Sequence, residues 1–161
     1  MKFLEKIWTW PEAETKIREW KSHHKKVVFT NGCFDILHQG HVRYLEEARS
    51  MGDYLILGLN SDASVRNIKG QGRPINDQVS RAVVLAGLQS VDGVIFFDQD
   101  TPLELITKLL PNVLAKGGDW APNQIIGSEI VIEKGGVVIS LPHYEGYSTT
   151  IIEQKIKNEK E

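Results

Sequence analysis

The sequence predicts an α/β fold in which a doubly wound parallel sheet of about five strands carries helices on both faces. Two observations support this prediction. Short β-branched runs alternate along the chain with stretches whose apolar residues have helical spacing. The β-branched runs are also continuously apolar, which is typical of parallel strands covered on both faces. In such a Rossmann-like sheet, right-handed crossovers join the strands and a ligand binds at their carboxyl ends.

The predicted elements follow one another in a regular order. The charged segment of residues 1–25 is expected to form a helix that begins near Pro11. Strands are predicted at KVVFT (26–30), YLILGLN (54–60), GVIFF (93–97), NVLAKGG (112–118) and GVVISL (136–141). Further helices are predicted at HVRYLEEARSM (41–51), VSRAVVLAGLQ (79–89), PLELITKLL (102–110) and TTIIEQKIKNE (149–159). The polar segment KGQGRPIND (69–77) is expected to be either a mobile flap beside a strand end or a solvated connector.

Length, charge and composition restrict the kind of protein. The 161 residues, 41% hydrophobic and 25% charged, are expected to form one globular domain with an N-terminal helical segment (1–25) and a core (26–161). A formal net charge of -2 at pH 7 gives no general attraction to nucleic acid or to an anionic membrane. The N-terminus is charged, no apolar run is long enough to span a membrane, and Cys33 is the single cysteine. A cytoplasmic location is therefore expected.

The segment NGCFDILHQGH (31–41) joins the first long strand to a helix. Gly32 lets backbone amides approach a ligand closely, and the start of the helix at His38, Gly40 and His41 favours an anion. Neither the dinucleotide fingerprint nor the P-loop motif is present. Two imidazoles three residues apart lie on one face and can donate to oxygens of one phosphoryl group. His38 and His41 are therefore candidate catalytic residues.

Two other interpretations of this histidine pair remain open. A zinc site needs three or four ligands, and the other histidines lack the spacing of known zinc motifs. The pair could also serve only to cap and pack the start of a helix. Cys33, which follows the glycine, is expected to be a structural thiol rather than a nucleophile, because no base is recognisably paired with it. No metal ligands are predicted in the protein.

The string TNGCFDILHQGH (30–41) resembles the signature of the cytidylyltransferase-like nucleotidyltransferases. Class I aminoacyl-tRNA synthetases share its His-x-Gly-His motif, but this chain is too short and lacks a basic surface signal for that function. The resemblance covers about residues 25 to 156: KGQGRPIND with Arg81, DTPLELI (100–106), LAKGGDW (114–120) and EGYSTTIIEQKI (145–156) appear in the order found in bacterial ADP-heptose adenylyltransferases. Those enzymes are often fused to a sugar kinase, so we expect a stand-alone transferase that works with a separate heptose kinase.

The resemblance also implies roles for individual residues. His38 and His41 would contact the nucleotide phosphates, and Lys69 would come in from the flap to bridge the phosphates of both substrates. Many relatives carry a basic residue three positions after the second signature, where this chain has Glu153. The implied nucleotide-binding set is Thr30, Asn31, Gly32, Cys33, Phe34, Gly40, Gly118, Asp119, Ser148, Thr149 and Thr150. The implied substrate-binding set is Asp35, Arg73 and Arg81.

The reaction implied by the resemblance is transfer of AMP from ATP to a heptose 1-phosphate, with release of pyrophosphate and formation of ADP-heptose for lipopolysaccharide or a related glycan. Mg²⁺ would be carried with ATP, and the expected partners are ATP and a sugar 1-phosphate, without nucleic acid or membrane. A homodimer is a further expectation, because relatives often form dimers. The alternatives are a cytidylyltransferase for glycerol phosphate or another phosphoalcohol, a flavin or pantetheine-phosphate adenylyltransferase, and a non-catalytic nucleotide-sensing module.

Overall fold

A fully parallel, six-stranded sheet with strand order β1-β4-β3-β2-β5-β6 forms the framework of the computed structural model, which describes residues 1–118, 120–142 and 144–158. The strands are β1 (Ile7–Trp8), β2 (Val27–Gly32), β3 (Tyr54–Asn60), β4 (Gly93–Phe97), β5 (Val113–Gly117) and β6 (Val137–Leu141). The α-helices are α1 (Trp10–Ser22), α2 (Gln39–Ser50), α3 (Asp62–Lys69), α4 (Gln78–Ala86), α5 (Leu103–Leu109), α6 (Ser128–Glu133) and α7 (Thr149–Asn158). Short 3-10 helices lie at Lys2–Lys6 and Pro122–Gln124.

The predicted α/β class and all the predicted strands are confirmed, but the sheet has six strands rather than about five. The additional strand is β1, whose two residues pair in parallel with Val94 and Ile95 of β4. Two residues cannot produce a recognisable apolar run, so the sequence pattern gave no sign of this strand. The helices α3 and α6 were also not predicted. Because α3 continues to Lys69, this lysine ends a helix instead of beginning a loop.

Two hydrophobic clusters cover the two faces of the sheet. On one face, Leu45 and Ala48 of α2 and Leu85 of α4 pack against alternate residues of the strands. On the other face, Ile17 of α1 and Leu105 of α5 pack against the remaining strand residues. This double coverage explains why the strands are continuously apolar in sequence.

The order of the strands fixes where a ligand can bind. From β2 the chain runs to β3 and β4 on one side of the sheet, and later to β5 and β6 on the other. The strand order therefore reverses at β2, and the crevice of a doubly wound sheet opens at the carboxyl end of such a strand. The segment that follows β2 is the one that carries Cys33, His38 and His41. Within the described ranges, no helix has the length and apolar character that a membrane crossing requires.

Candidate active site

A cavity of about 460 Å³ lies at the carboxyl ends of β2 and β5. Most of the predicted site residues line it: Asn31, Gly32, Cys33, Phe34, Asp35, His38, Gly40, His41, Lys69, Ser148, Thr149 and Thr150. Six lining residues were not predicted: Tyr44, Lys116, Gly117, Pro142, Tyr144 and Tyr147. Segments that are distant in the sequence therefore meet in one crevice at the predicted edge of the sheet.

The turn after β2 requires a glycine at position 32. A Cβ atom built on Gly32 would lie 2.7 Å from Cε2 of Phe34, which is closer than side-chain carbon atoms approach. Phe34 itself has a φ angle of 45°, in the left-handed region that few non-glycine residues adopt. The aromatic ring of Phe34 thus folds back over Gly32. The segment from Gly32 to Phe34 lies at the wall of the cavity.

His38 is the N-cap residue of α2, and its Nδ1 atom accepts a hydrogen bond from the backbone N–H of His41 at 3.4 Å. With Nδ1 acting as acceptor, the neutral ring carries its proton on Nε2. The two imidazoles stack, and the ring of His41 also packs at a tilt against Phe34. The capping interpretation is therefore correct for His38, and it leaves the Nε2–H group of this residue available to a ligand.

Burial lowers the pKa of His38. Burial lowers the pKa of His41 to about 4, and the neighbouring charges of His38 and Lys69 act in the same direction. Both rings are therefore neutral near pH 7. The Nδ1 atom of His41 is buried without a hydrogen-bond partner among the residues that the structure describes. Buried polar atoms seldom lack a partner, so this atom suits a contact with a bound ligand.

Lys69 ends α3 at the mouth of the cavity. It lines the cavity together with His38 and His41, and its positive charge helps to lower the pKa of His41. The next residue, Gly70, has a φ angle of 96°, and nothing lies within 4 Å of a Cβ atom built at Gly70 or Gly72. Residues 70–72 therefore have both the backbone freedom and the space of a hinge.

The remainder of the predicted flap is anchored to Asp35. The carboxylate of Asp35 accepts hydrogen bonds from the backbone N–H groups of Ile75 and Asn76 at 2.8 to 2.9 Å and from Arg73 at 2.9 Å. Burial acts to raise its pKa, but the bonds from Asn76, Ile75 and Arg73 hold the pKa below its ordinary value. Asp35 thus anchors residues 73–76 of the predicted flap. Asp35 also lines the cavity, and its expected role in substrate binding stays a prediction.

The two predicted substrate-binding arginines are used within the protein. Arg73 pairs with Asp35 at 2.9 Å and with Glu153 at 2.7 Å. The side chain of Arg81 is fully buried. Its guanidinium donates to the carboxylate of Asp62 and to the carbonyl oxygens of Cys33, Asn60 and Asn76. Neither arginine is among the residues that line the cavity, and their expected role in substrate binding stays a prediction. The sequence shows the positive charges of the two arginines but not the partners that they have within the protein.

Other predicted positions also lie behind the cavity wall. Thr30 is buried, and its hydroxyl shares a 2.5 Å hydrogen bond with the hydroxyl of Tyr44. Gly118 donates its N–H to the carbonyl of Leu141, and its own carbonyl accepts from the hydroxyl of Ser140. Neither Thr30 nor Gly118 lines the cavity. Asp119, which is also predicted to bind the nucleotide, lies outside the described residues.

The second predicted signature forms the start of α7 opposite the histidines. The hydroxyl of Ser148 accepts a hydrogen bond from the backbone N–H of Ile151 at 3.1 Å, which is the N-cap contact expected of a serine there. Thr149 donates to the carbonyl of Ile36 at 3.5 Å, close to the segment that leads to His38. The N-termini of α2 and α7 therefore face the same cavity, and each presents a positive dipole end to it.

Lys116 and the tyrosines are the functional candidates that sequence reasoning missed. Lys116 lies near the end of β5, where burial lowers its pKa, and its Nζ donates to Oδ1 of Asn31 at 3.4 Å. Its position in LAKGGDW, at the carboxyl end of a predicted parallel strand, was a usable signal. Burial raises the pKa of Tyr44 to about 12, so its hydroxyl stays protonated. No pattern in the sequence marked Tyr144 and Tyr147 as site residues, because only the tertiary fold brings them to the cavity.

No group of three or more His, Cys, Asp or Glu side chains is arranged to hold a metal ion within the part of the chain that the structure describes. The cavity is instead lined by hydroxyls, imidazoles, lysines and backbone N–H groups. These are donors, and they suit an anionic ligand rather than a bare cation.

The chain is similar in sequence to known proteins. The model of the family described as cytidylyltransferase-like matches residues 29–155. The bifunctional protein HldE of Magnetococcus marinus is 51% identical over 156 residues, which cover 97% of this chain and 32% of that protein. HldE of Campylobacter concisus is 58% identical over 136 residues, which cover 84% of this chain and 28% of that protein. The chain thus spans 28 to 32% of the length of these curated relatives.

Two solved structures are similar in fold. A lipopolysaccharide core biosynthesis protein from Thermoplasma volcanium aligns with a TM-score of 0.62 and 26% sequence identity, over 77% of this chain and 99% of that chain. A pantoate-beta-alanine ligase from Francisella tularensis, solved with beta-gamma ATP and beta-alanine, aligns with a TM-score of 0.59 and 14% identity, over 94% of this chain and 76% of that chain. At this low identity the ligase supports the fold alone. Both confirm the Rossmann-like α/β architecture.

Proposed function

The chain belongs to the cytidylyltransferase-like family of nucleotidyltransferases, and we propose that it transfers AMP from ATP to a heptose 1-phosphate, forming ADP-heptose and pyrophosphate. One observation carries the proposal: two helix N-termini, those of α2 and α7, face one cavity that also contains a stacked histidine pair. The motifs shared with ADP-heptose adenylyltransferases and the identity to HldE proteins support the choice of acceptor.

In the proposed reaction the acceptor phosphate is itself the nucleophile. One of its oxygen atoms forms a bond to the α-phosphorus of ATP, while the bond from that phosphorus to the bridging oxygen of pyrophosphate breaks on the opposite side. The attacking group is already an anion, so the protein needs no general base. Its main tasks are to hold two polyanions in line and to offset their repulsion.

The residues around the cavity suit these tasks. The neutral ring of His38 offers an Nε2–H donor, and His41 has a buried nitrogen atom without a described partner. We assign both to the oxygens around the α-phosphorus, where charge increases in the transition state. The backbone N–H groups at the start of α7 and the hydroxyls of Ser148 and Thr149 would hold the rest of the triphosphate. Mg²⁺ enters with ATP as part of the substrate, bound by phosphate oxygens.

Two lysines that line the cavity, Lys69 and Lys116, can supply positive charge. Lys69 is exposed and lies directly before the hinge at residues 70–72, so we propose that it approaches once both substrates are bound. Lys116 is largely buried beside Asn31, so its charge is fixed in place. We propose that Lys69 bridges the attacking phosphate and the α-phosphate, and that Lys116 contributes a fixed positive potential to the cavity.

The proposal also concerns the supply of the substrate, the location of the protein and its oligomeric state. A separate kinase activity must supply the heptose 1-phosphate, and the product is a glycan precursor. A nucleotide substrate and a single cysteine fit a cytoplasmic location. The chain is proposed to act as one domain and to form a homodimer, as relatives often do. Sedimentation at several protein concentrations tests the dimer.

The function is tested by measuring pyrophosphate release with Mg²⁺ for the four nucleoside triphosphates, each combined with several sugar 1-phosphates and with glycerol phosphate. We expect release only with ATP and a heptose 1-phosphate together. Preference for CTP with glycerol phosphate would identify a cytidylyltransferase instead. Rapid ATP hydrolysis without acceptor would contradict the transferase, and tight ATP binding without any turnover would identify a sensing module.

A further inference from the structure

Arg73 connects three separate segments that meet at the cavity. Its Nη1 atom donates to Asp35 at 2.9 Å, and its Nη2 atom donates to Glu153 at 2.7 Å. Asp35 belongs to the segment between β2 and α2, Arg73 to the anchored part of the flap, and Glu153 to α7. The side chain of Asp35 is 1% exposed and that of Arg73 is 16% exposed, so the link between them is shielded from solvent.

The link is important for α7 because this helix has little other attachment. None of the residues of α7 that the structure describes is buried, and Ile151 and Ile152 are only half-buried, so apolar packing holds α7 less firmly than the helices with buried residues. Its first turn nevertheless supplies Thr149 and Thr150 to the cavity wall. Glu153 lies one turn further along the same helix and is the residue that Arg73 holds. A contact that holds Glu153 in place therefore also holds the hydrogen-bond donors of Thr149 and Thr150 at the start of α7.

We propose that Arg73 is a positioning residue, which holds the start of α7 against the cavity through Glu153 and thereby sets the affinity for the nucleotide phosphates. This inference rests on the proposed function, because it takes the ligand of α7 to be a nucleoside triphosphate. The guanidinium is suited to the task, since two of its nitrogen atoms reach two different carboxylates at once. A lysine in its place has one nitrogen atom and cannot reproduce both contacts in this geometry.

A positioning role for Arg73 and the substrate-binding role expected from the sequence predict opposite changes in ATP affinity when Glu153 is removed. If Arg73 were a substrate cation that Glu153 withholds, removing Glu153 would release the arginine and tighten ATP binding. If Arg73 positions α7, removing Glu153 detaches the helix and weakens ATP binding. The sign of the change in ATP affinity on Glu153→Ala therefore distinguishes the two roles.

The experiment compares four proteins: wild type, Glu153→Ala, Arg73→Lys and Lys157→Ala. Lys157 is the matched control, because it pairs with Glu153 at 3.0 Å on the exposed side of the helix and does not contact Arg73 in the structure. Calorimetry with ATP and Mg²⁺ is expected to show binding about tenfold weaker for Glu153→Ala and Arg73→Lys, the scale of one lost charge-assisted hydrogen bond. At saturating ATP, kcat should change less than about twofold, because Arg73 does not contact the reacting atoms in this assignment. Lys157→Ala should match wild type in both measurements.

Hydrogen exchange of the α7 amides, measured without ligand, tests the link independently of activity. Exchange is expected to be faster in Glu153→Ala and Arg73→Lys than in wild type, and unchanged in Lys157→Ala. Equal exchange in all four proteins, or tighter ATP binding by Glu153→Ala, would overturn the proposal. A wild-type protein that binds no ATP would instead refute the proposed function, while the exchange result would still decide whether Arg73 holds α7.

Discussion

The imidazole rings of His38 and His41 are stacked, with their centroids 3.8 Å apart and their planes at 18°. This contact places two neutral rings side by side at the N-terminus of α2, where the helix dipole favours an anion. The hydrogen bond from the backbone N–H of His41 to Nδ1 of His38 fixes the first ring, and burial against Phe34 holds the second. The pair is therefore organised before any ligand binds, as effective stabilisation of a transition state requires.

Replacing His41 with alanine is expected to lower kcat by at least ~100-fold, the effect of losing one preorganised donor. The fold should persist, because Nδ1 of His41 has no described partner within the protein. Steady-state pyrophosphate release measures the change, with His23→Ala, an exposed histidine in the segment after α1, as control. Turnover at the wild-type rate would leave the pair with only its capping and packing role.

Replacing Lys69 with methionine is expected to depress kcat strongly and ATP affinity only modestly. Its charge is most useful when the two anions are closest, which is in the transition state, while the starts of α2 and α7 continue to hold the triphosphate. Single-turnover rates measured beside calorimetric ATP affinity separate the two effects. Lys134→Met, at an exposed lysine after α6, serves as control. Equal losses in rate and affinity would indicate a ground-state clamp, and no loss in either would remove Lys69 from the site.

The depressed pKa of His41 predicts a pH-dependent stability. The pKa is about 4 in the folded protein, against an ordinary value of 6.5. Between these values the unfolded chain binds more protons than the folded chain, so the free energy of unfolding rises with pH across this window. The stabilisation is complete above pH 6.5 and is lost as the pH falls through about 4. Urea unfolding should show a steeper loss on acidification for wild type than for His41→Asn; parallel curves would show that His41 is not buried in its neutral form.

Replacing Arg81 with methionine is expected to lower the free energy of unfolding by about 3–5 kcal/mol, the usual cost of breaking a buried ion pair. The change leaves the carboxylate of Asp62 and three carbonyl oxygens without their donor. Urea unfolding measures the loss. Arg66→Met, at an exposed arginine of α3, is the matched control and should cost less than about 0.5 kcal/mol. Unchanged stability with impaired kinetics would restore Arg81 as a substrate cation.

Local patterns in the sequence predicted five of the six strands and the segment 31–41, much of which lines the cavity. Five strands have continuous apolar runs, and the segment 31–41 combines a turn glycine with a helix start. The strand β1 was missed because a two-residue strand is defined by its partner β4 and not by its own composition. The helix α3 was not predicted, and it ends at Lys69, the residue at which the predicted flap begins.

The arginines show why other parts of the site could not be predicted. Arg73 and Glu153 are 80 positions apart in the chain, and only the fold brings them to 2.7 Å. Nothing in the residues around Arg81 indicates that its side chain is fully buried, because arginine is mostly exposed in proteins. From the sequence alone, a positively charged residue in a polar loop is interpreted as a ligand-binding cation, because its internal partners are not visible. Only the fold shows that both arginines have partners within the protein.

The short strand β1 has a consequence for solubility. Beside it, β4 is a run of apolar residues whose outer edge would otherwise present free N–H and C=O groups to other molecules. Ile7 and Trp8 occupy the middle of that edge, and the indole of Trp10 donates to the carbonyl of Phe96 at 2.8 Å further along it. An unprotected apolar edge is a template for intermolecular β-pairing and aggregation. The N-terminal segment thus covers an edge that would otherwise favour intermolecular β-pairing, a role separate from the chemistry proposed at the carboxyl ends of β2 and β5.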